Sequence, residues 1–216
     1  MKHCIALLFS CLLGSGLVLP LYAQQGKLPA PPPLEQEEKV KLIKQFFKSE
    51  YSKKTPAGRV ALGKLLLAKA RREESDMAAR YVFLSEAIDL SARGADLDNA
   101  LYAFWLMKED YLIDIDAAKE KLLSAVPRTK SFRTEEKIFK EWMALIDRSL
   151  AKDDYLAAKR LGDLVRKRVS RDKLLTRIAR DKVDYIDFVA KRFKDVKPFL
   201  KKLADGPVNA KANGIV

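Results

Sequence analysis

Between residues 75 and 107 the chain reads SDMAARYVFLSEAIDLSARGADLDNALYAFWLM, with bulky apolar positions returning every third or fourth residue. Tyr81, Leu84, Ile88 and Leu90 to Ala92 thus fall on one side of a helix. Ser75 is placed to cap its free amides, and Gly94 to take the left-handed conformation that ends it. Asp96 then caps a second helix, on which Leu97, Ala100, Leu101, Phe104, Trp105 and Met107 make a broader apolar surface. So short a turn, Gly94-Ala95-Asp96, predicts an antiparallel pair packed around Leu84, Ile88, Ala100 and Phe104.

The rest of the chain follows the same period. Residues 24–33, QQGKLPAPPP, read as an extended linker with no capacity to pack. A first helix spans residues 34 to about 53, with Val40, Ile43, Phe46, Phe47 and Tyr51 toward the core. Thr55-Pro56 signals a restart, a capping hydroxyl followed by a proline whose missing amide costs nothing there. The second helix runs to about Arg72 and buries Val60, Leu62, Leu65, Leu66 and Ala70. Asp114 or Asp116 begins a helix ending at Pro127. Thr134 caps one carrying Ile138, Phe139, Trp142, Leu145, Ile146 and Leu150. After the turn at Asp153-Asp154, Leu156, Leu161, Leu164 and Val165 mark another, ending near Ser170.

The last element is long. Leu175, Ile178, Lys182, Tyr185, Val189, Arg192, Val196, Phe199 and Leu203 alternate by three and four, as in a coiled-coil-like helix, with Lys182 and Arg192 snorkelling. Pro198 is expected to kink or divide it, Gly206-Pro207 to end it, and residues 205–216 to form a flexible tail.

An offset of 57 residues lays one hairpin on another. Ala87 falls on Ala144, Ile88 on Leu145, Asp96 on Asp153, Ala100 on Ala157 and Phe104 on Leu161. Small residues recur at the helix crossing and an Asp at the cap, which points to an internal repeat.

Composition narrows the chemistry. In 216 residues there are two Cys, Cys4 and Cys11, and one His, His3. All three lie in residues 1–23, which read as a signal peptide: Lys2, an apolar core from Cys4 to Leu19, and a cleavage site after Leu21-Tyr22-Ala23. The alternatives are a retained membrane anchor, interrupted by Gly14, Ser15, Gly16 and Pro20, and acylation of Cys11, which comes unusually early. Cleavage would leave a chain without Cys or His, exported to the periplasm or beyond. Disulfides, thiolate or imidazole metal sites and histidine-based catalysis would then be excluded, leaving carboxylate, lysine or tyrosine chemistry.

Several stretches together resemble a tetratricopeptide-like α-helical domain of the kind that follows signal peptides in secreted planctomycete proteins of unknown function. They are Lys54-Thr55-Pro56-Ala57, the run from Ala78 to Leu84, Glu86-Ala87, Gly94-Ala95-Asp96, Asp153-Asp154-Tyr155 with Ala157-Ala158, Val196-Lys197-Pro198, Pro207 and Ala212-Asn213. The resemblance implies an all-α fold of antiparallel hairpins in a right-handed array, occupying residues 34–204, with a long C-terminal helix. It carries no catalytic or ligand residue and implies a scaffolding role. The repeat unit is longer than a true tetratricopeptide, and the chain stops at Asn213-Gly214-Ile215-Val216, where relatives would continue, so a C-terminally shortened member is implied.

Charge is the clearest remaining signal. The chain carries +13, and within residues 159–202 sixteen Lys and Arg stand against six Asp, a net of +10. Arg166, Lys167, Arg168 and Arg171 form the densest cluster and are the candidate anion-binding residues. Acidic neighbours at helical spacing make a solvated face the plainer alternative. Glu73-Glu74, Asp114 with Asp116, and Glu135-Glu136 have the composition of acid-base pairs, but each sits where a cap or first-turn charge is expected. Trp105, Trp142, Phe104, Phe139 and Tyr81 read as core before groove. The expectation is a non-catalytic scaffold without cofactor or metal, its partner a protein or cell-envelope component. The second reading is binding of an acidic polysaccharide or membrane surface through the basic C-terminal helices. Nucleic acid is not favoured, because no binding motif for it occurs.

Overall fold

The computed structural model describes residues 26–204, so residues 1–25, with Cys4, Cys11 and His3, and residues 205–216 lie outside it, and with them the expected signal peptide and flexible tail. Within that span the fold is all-α. The helices are α1 (Pro33–Phe46), α2 (Lys48–Ser52), α3 (Pro56–Ala70), α4 (Met77–Arg93), α5 (Leu97–Asp110), α6 (Ile115–Ala125), α7 (Phe132–Ala151), α8 (Tyr155–Arg168) and α9 (Lys173–Ala204). Two short strands, β1 (Leu28–Pro29) and β2 (Tyr111–Leu112), pair in parallel. The proline-rich stretch therefore does pack. Its Leu28-Pro29 step joins β2, and the Lys27 ammonium donates to the Lys108 carbonyl at 2.9 Å.

Two clusters of buried side chains divide the core. The first joins Ile43 of α1 to Leu62, Leu66 and Leu67 of α3, Val82 and Leu84 of α4, Met107 of α5 and Tyr111. The second gathers Leu97, Ala100 and Phe104 of α5 with Leu122 and Leu123 of α6, Ile138, Trp142 and Ile146 of α7, Leu161 and Val165 of α8, and Leu175, Ala179 and Ile186 of α9. Ile88 and Ile113 touch both. The predicted packing around Leu84, Ile88, Ala100 and Phe104 is thus shared out, with Leu84 in the first cluster and Ala100 and Phe104 in the second. Each large side chain so enclosed contributes roughly 1.5–3 kcal/mol.

Caps explain where the helices start, and some differ from expectation. Thr55 accepts from the Gly58 amide and Asp96 from that of Asn99, as the sequence predicts. At α4, however, Asp76 is the cap, accepting from the Ala79 amide, while Ser75 donates to Glu73 instead. At α7 the cap is Ser131, which accepts from Thr134. The first helix breaks at Phe47 (φ −105°, ψ 31°), so Phe46 points outward while Ile43 stays buried. Leu65 and Leu156 are likewise exposed, and Trp105 lies on the surface, stacked on Tyr102 at 6.0 Å.

The turns after α4 and α7 have one geometry. The Asp96 amide donates to the Ser91 carbonyl at 2.9 Å and that of Ala95 to Ala92 at 3.0 Å. The Asp154 and Asp153 amides reach Ser149 and Leu150 at the same distances. Both turns place a non-glycine residue at positive φ, Ala95 at 66° and Asp153 at 56°. This is the Schellman ending, in which the residue after the left-handed one also caps the next helix. It corrects the assignment of the left-handed residue to Gly94, whose φ is −84°. A Cβ on Gly94 would stand 2.6 Å from Val60 Cγ2 and 3.0 Å from the Pro56 carbonyl, so glycine serves there to let α3 approach α4. Ser91 and Ser149, Asp96 and Asp154, and Ala100 and Ala158 correspond at a spacing of 58, one more than the sequence overlay used.

α9 is unbroken from Lys173 to Ala204 and continues through Pro198. Its buried stripe is Leu175, Ala179, Val183 and Ile186. Apart from Leu175, the stripe read from the sequence lies roughly 100° away round the helix. Its Ile178, Tyr185, Val196, Phe199 and Leu203 are all exposed.

Candidate interaction surface

The last turn of α8 holds Arg166, Lys167 and Arg168, the turn between α8 and α9 holds Arg171, and the structure separates these four basic candidates. Successive residues of a helix project about 100° apart. Accordingly Arg166 and Lys167 face solvent, while Arg168 turns inward. Only 13% of the Arg168 side chain is exposed. Its Nε and Nη2 donate to the two Glu135 oxygens, each at 3.1 Å, and its remaining donors reach the Val126 and Pro127 carbonyls at 2.8 and 3.2 Å. This guanidinium satisfies the open end of α6 and the start of α7, with four of its five N–H donors committed. Arg166 is held by Asp163, one turn earlier, at 3.1 Å. Lys167 and Arg171 stand without an ionic partner among the described residues.

Arg171 lines a small open cleft of about 210 Å³ with Arg128 and Lys130 from the α6–α7 loop and Phe132 from α7. Two carboxylates border it and both are engaged, Glu135 by Arg168 and Asp172 by the Leu175 amide at 2.8 Å. Arg128 is also tied down, its guanidinium donating to the Lys167 carbonyl. The cleft is shallow and mildly cationic. Arg128 and Lys130 did not stand out in the sequence, where they lie in an unpatterned loop.

Three further cations of the basic run are paired with neighbouring helices, whereas Lys173, Arg177 and Arg180 have no carboxylate partner among the described residues. Arg160 forks onto Glu120 of α6 and holds that carboxyl below its usual range. Lys159 pairs with Asp187 at 2.5 Å, and Lys182 with Asp147 of α7. Of the acidic pairs, every member but Glu74 is engaged in the same manner. Glu73 accepts from the Ser75 and Asp76 amides, which lower its pKa. Asp114 caps α6, Asp116 meets Arg148 and Lys152 at 2.9 and 2.6 Å, and Glu136 pairs with Lys140 at 2.8 Å.

Five of the ten Lys and Arg between residues 159 and 187 hold a carboxylate, and beyond residue 187 none does among the described residues. Lys191, Arg192, Lys194, Lys197, Lys201 and Lys202 have no carboxylate within ion-pair distance among the described residues. Beside them Phe188, Val196, Phe199, Leu200 and Leu203 are exposed, Phe199 to 64% and Leu203 to 78%. No described helix is long and apolar enough to cross a membrane. No protein-family model, curated protein or solved structure matches this chain.

Proposed function

We propose that the chain is a non-catalytic helical module, exported to the periplasm or beyond, whose working surface is the distal half of α9. The observation that carries this reading is the exposed face of Phe188, Val196, Phe199 and Leu203, an amount of apolar surface that a helix facing only water does not need. Support for the scaffold role comes from Glu73, Asp114, Asp116, Glu135 and Glu136, each engaged by backbone amides or a cation. The turn that recurs after 58 residues supports a tetratricopeptide-like arrangement of the two hairpins. In this reading the helices before α9 hold its first half, residues 175–186, in place, and the partner is a protein or another component of the cell envelope.

A second reading is favoured by Lys167, Arg171, Arg128 and Lys130, which gather at one edge: binding of an acidic polysaccharide there. The two variants separate the readings. Capture through the α9 face is lost in Phe199→Ser with Leu203→Ser and kept in Lys167→Glu with Arg171→Glu. Capture through the basic edge falls with salt and is lost in Lys167→Glu with Arg171→Glu. A pull-down from the source envelope with these two variants and the parent chain tests the proposal. Identical capture by parent and F199S/L203S overturns it.

A further inference from the structure

The last fully buried side chain of α9 is Ile186. Past it only Val189, Ala190 and Phe193 are even partly covered, Phe193 by its ring contact with Tyr155 at 5.1 Å. The remaining side chains sort by side. At about 100° per residue, Phe188, Val189, Val196, Phe199, Leu200 and Leu203 share one arc of about 120°. Lys191, Lys194, Lys197, Lys201 and Lys202 occupy the opposite arc. Arg192 alone projects from the apolar side, and its guanidinium lies over the Phe188 ring at 5.4 Å. Asp195 is the one acid of the segment.

We propose that residues 188–204 are an in-plane anchor for an anionic lipid surface. The apolar arc sinks into the boundary between headgroups and acyl chains, and the lysines meet the phosphates. This rests on the reading of distal α9 as the working surface and names its partner by chemistry. Three observations favour lipid over other occupants. None of the six cations of this segment holds an acid among the described residues, whereas half of those between 159 and 187 do, Lys159, Arg160, Arg166, Arg168 and Lys182. Six cations against one acid give the segment +5, so a second copy laid along it, in either direction, brings like charge to like. A polyanionic glycan would meet the lysines but leave the phenylalanine side in water; only lipid receives both.

Two details fit. Arg192 has a stem long enough to carry its charge from the apolar arc back to the headgroups. Pro198 lies on the lysine side, so the Lys194 carbonyl that its missing amide leaves open faces water rather than acyl chains.

The test uses the full chain with vesicles of phosphatidylcholine, with and without admixed phosphatidylglycerol, read by co-sedimentation and by hydrogen exchange. Parent chain, F199S/L203S and K194E/K197E/K201E carry the same leader, so differences between them report on α9. All five positions are exposed, so circular dichroism and the urea midpoint should match the parent. Expected are salt-sensitive binding to anionic vesicles, a loss of roughly tenfold or more in each variant, and new amide protection confined to 188–204. Equal binding by all three proteins, absence of new protection, or a dimer that F199S/L203S dissolves would overturn the assignment. If vesicles leave 188–204 unprotected while F199S/L203S still abolishes capture of a protein, the lipid assignment fails and the working surface stands. If that variant changes neither, both fail.

Discussion

Arg168 of α8 and Glu135 of α7 face each other as a two-pronged pair, with 13% and 18% of their side chains exposed. Removing one member of such a pair strands the other charge in a largely dry site, at a cost of about 3–5 kcal/mol. Arg168→Ala should therefore lower the unfolding free energy, read from urea titration, by that amount and open the α6–α7 corner. Arg166→Ala, Lys167→Ala and Arg171→Ala should stay within about 0.5 kcal/mol. A neutral result for Arg168→Ala would show that the pair is not structural.

Gly94 and Ala95 should respond to substitution with opposite signs. Gly94→Ala forces a methyl against Val60 and the Pro56 carbonyl and should destabilise by about 1–3 kcal/mol. Ala95→Gly relieves an L residue held at φ 66° and should stabilise by roughly 0.5–1 kcal/mol. Thermal unfolding of the two variants decides it. The reverse order would restore Gly94 as the left-handed residue.

Much of the helical plan was legible because caps and breakers are local signals. Thr55-Pro56 and Asp96 needed only their own turn to be read. The one-residue shifts, from Ser75 to Asp76, Gly94 to Ala95 and spacing 57 to 58, arise because adjacent residues offer the same chemistry and only backbone geometry chooses between them. For α9 the three-four stripe from Ile178 to Leu203 is real. Its period shows that a face exists, not which face the domain covers. Arg168 was misread for a different reason, since Glu135 lies 33 residues away and no local rule links them. The side chains of distal α9 were visible in the sequence; their lack of a partner was not.

Acid should weaken the fold in part through Asp76. Its bond from Lys39, then that from the Ala79 amide, hold this carboxyl below its usual range. A depressed folded pKa stabilises above the unfolded value, about 3.9, and that contribution disappears as pH falls through the folded one. Asp76→Asn keeps the capping oxygen and loses the charge, so stability measured from pH 5 downward should fall less steeply than in the parent. An unchanged slope would remove Asp76 from the account.

Alkali should act through Tyr111, whose hydroxyl donates to the Met77 carbonyl at 2.7 Å. Burial pushes this phenol up to about 12. A raised folded pKa stabilises fully below the unfolded value, about 10, and the contribution is lost as pH rises through about 12. Tyr51, raised by burial and by its bond to Glu86, acts in the same direction. Tyr111→Phe should flatten the alkaline limb of the stability profile while costing about 1 kcal/mol at neutral pH.

Hydrogen exchange along α9 in the isolated full chain tests the central claim without knowledge of the partner. Amides of residues 175–186, which carry the buried stripe, should exchange slowly. Those of 188–204, whose apolar face is uncovered, should exchange much faster. Equal, strong protection along the whole helix would mean that the distal face is already covered within the chain, and would contradict its role as the working surface.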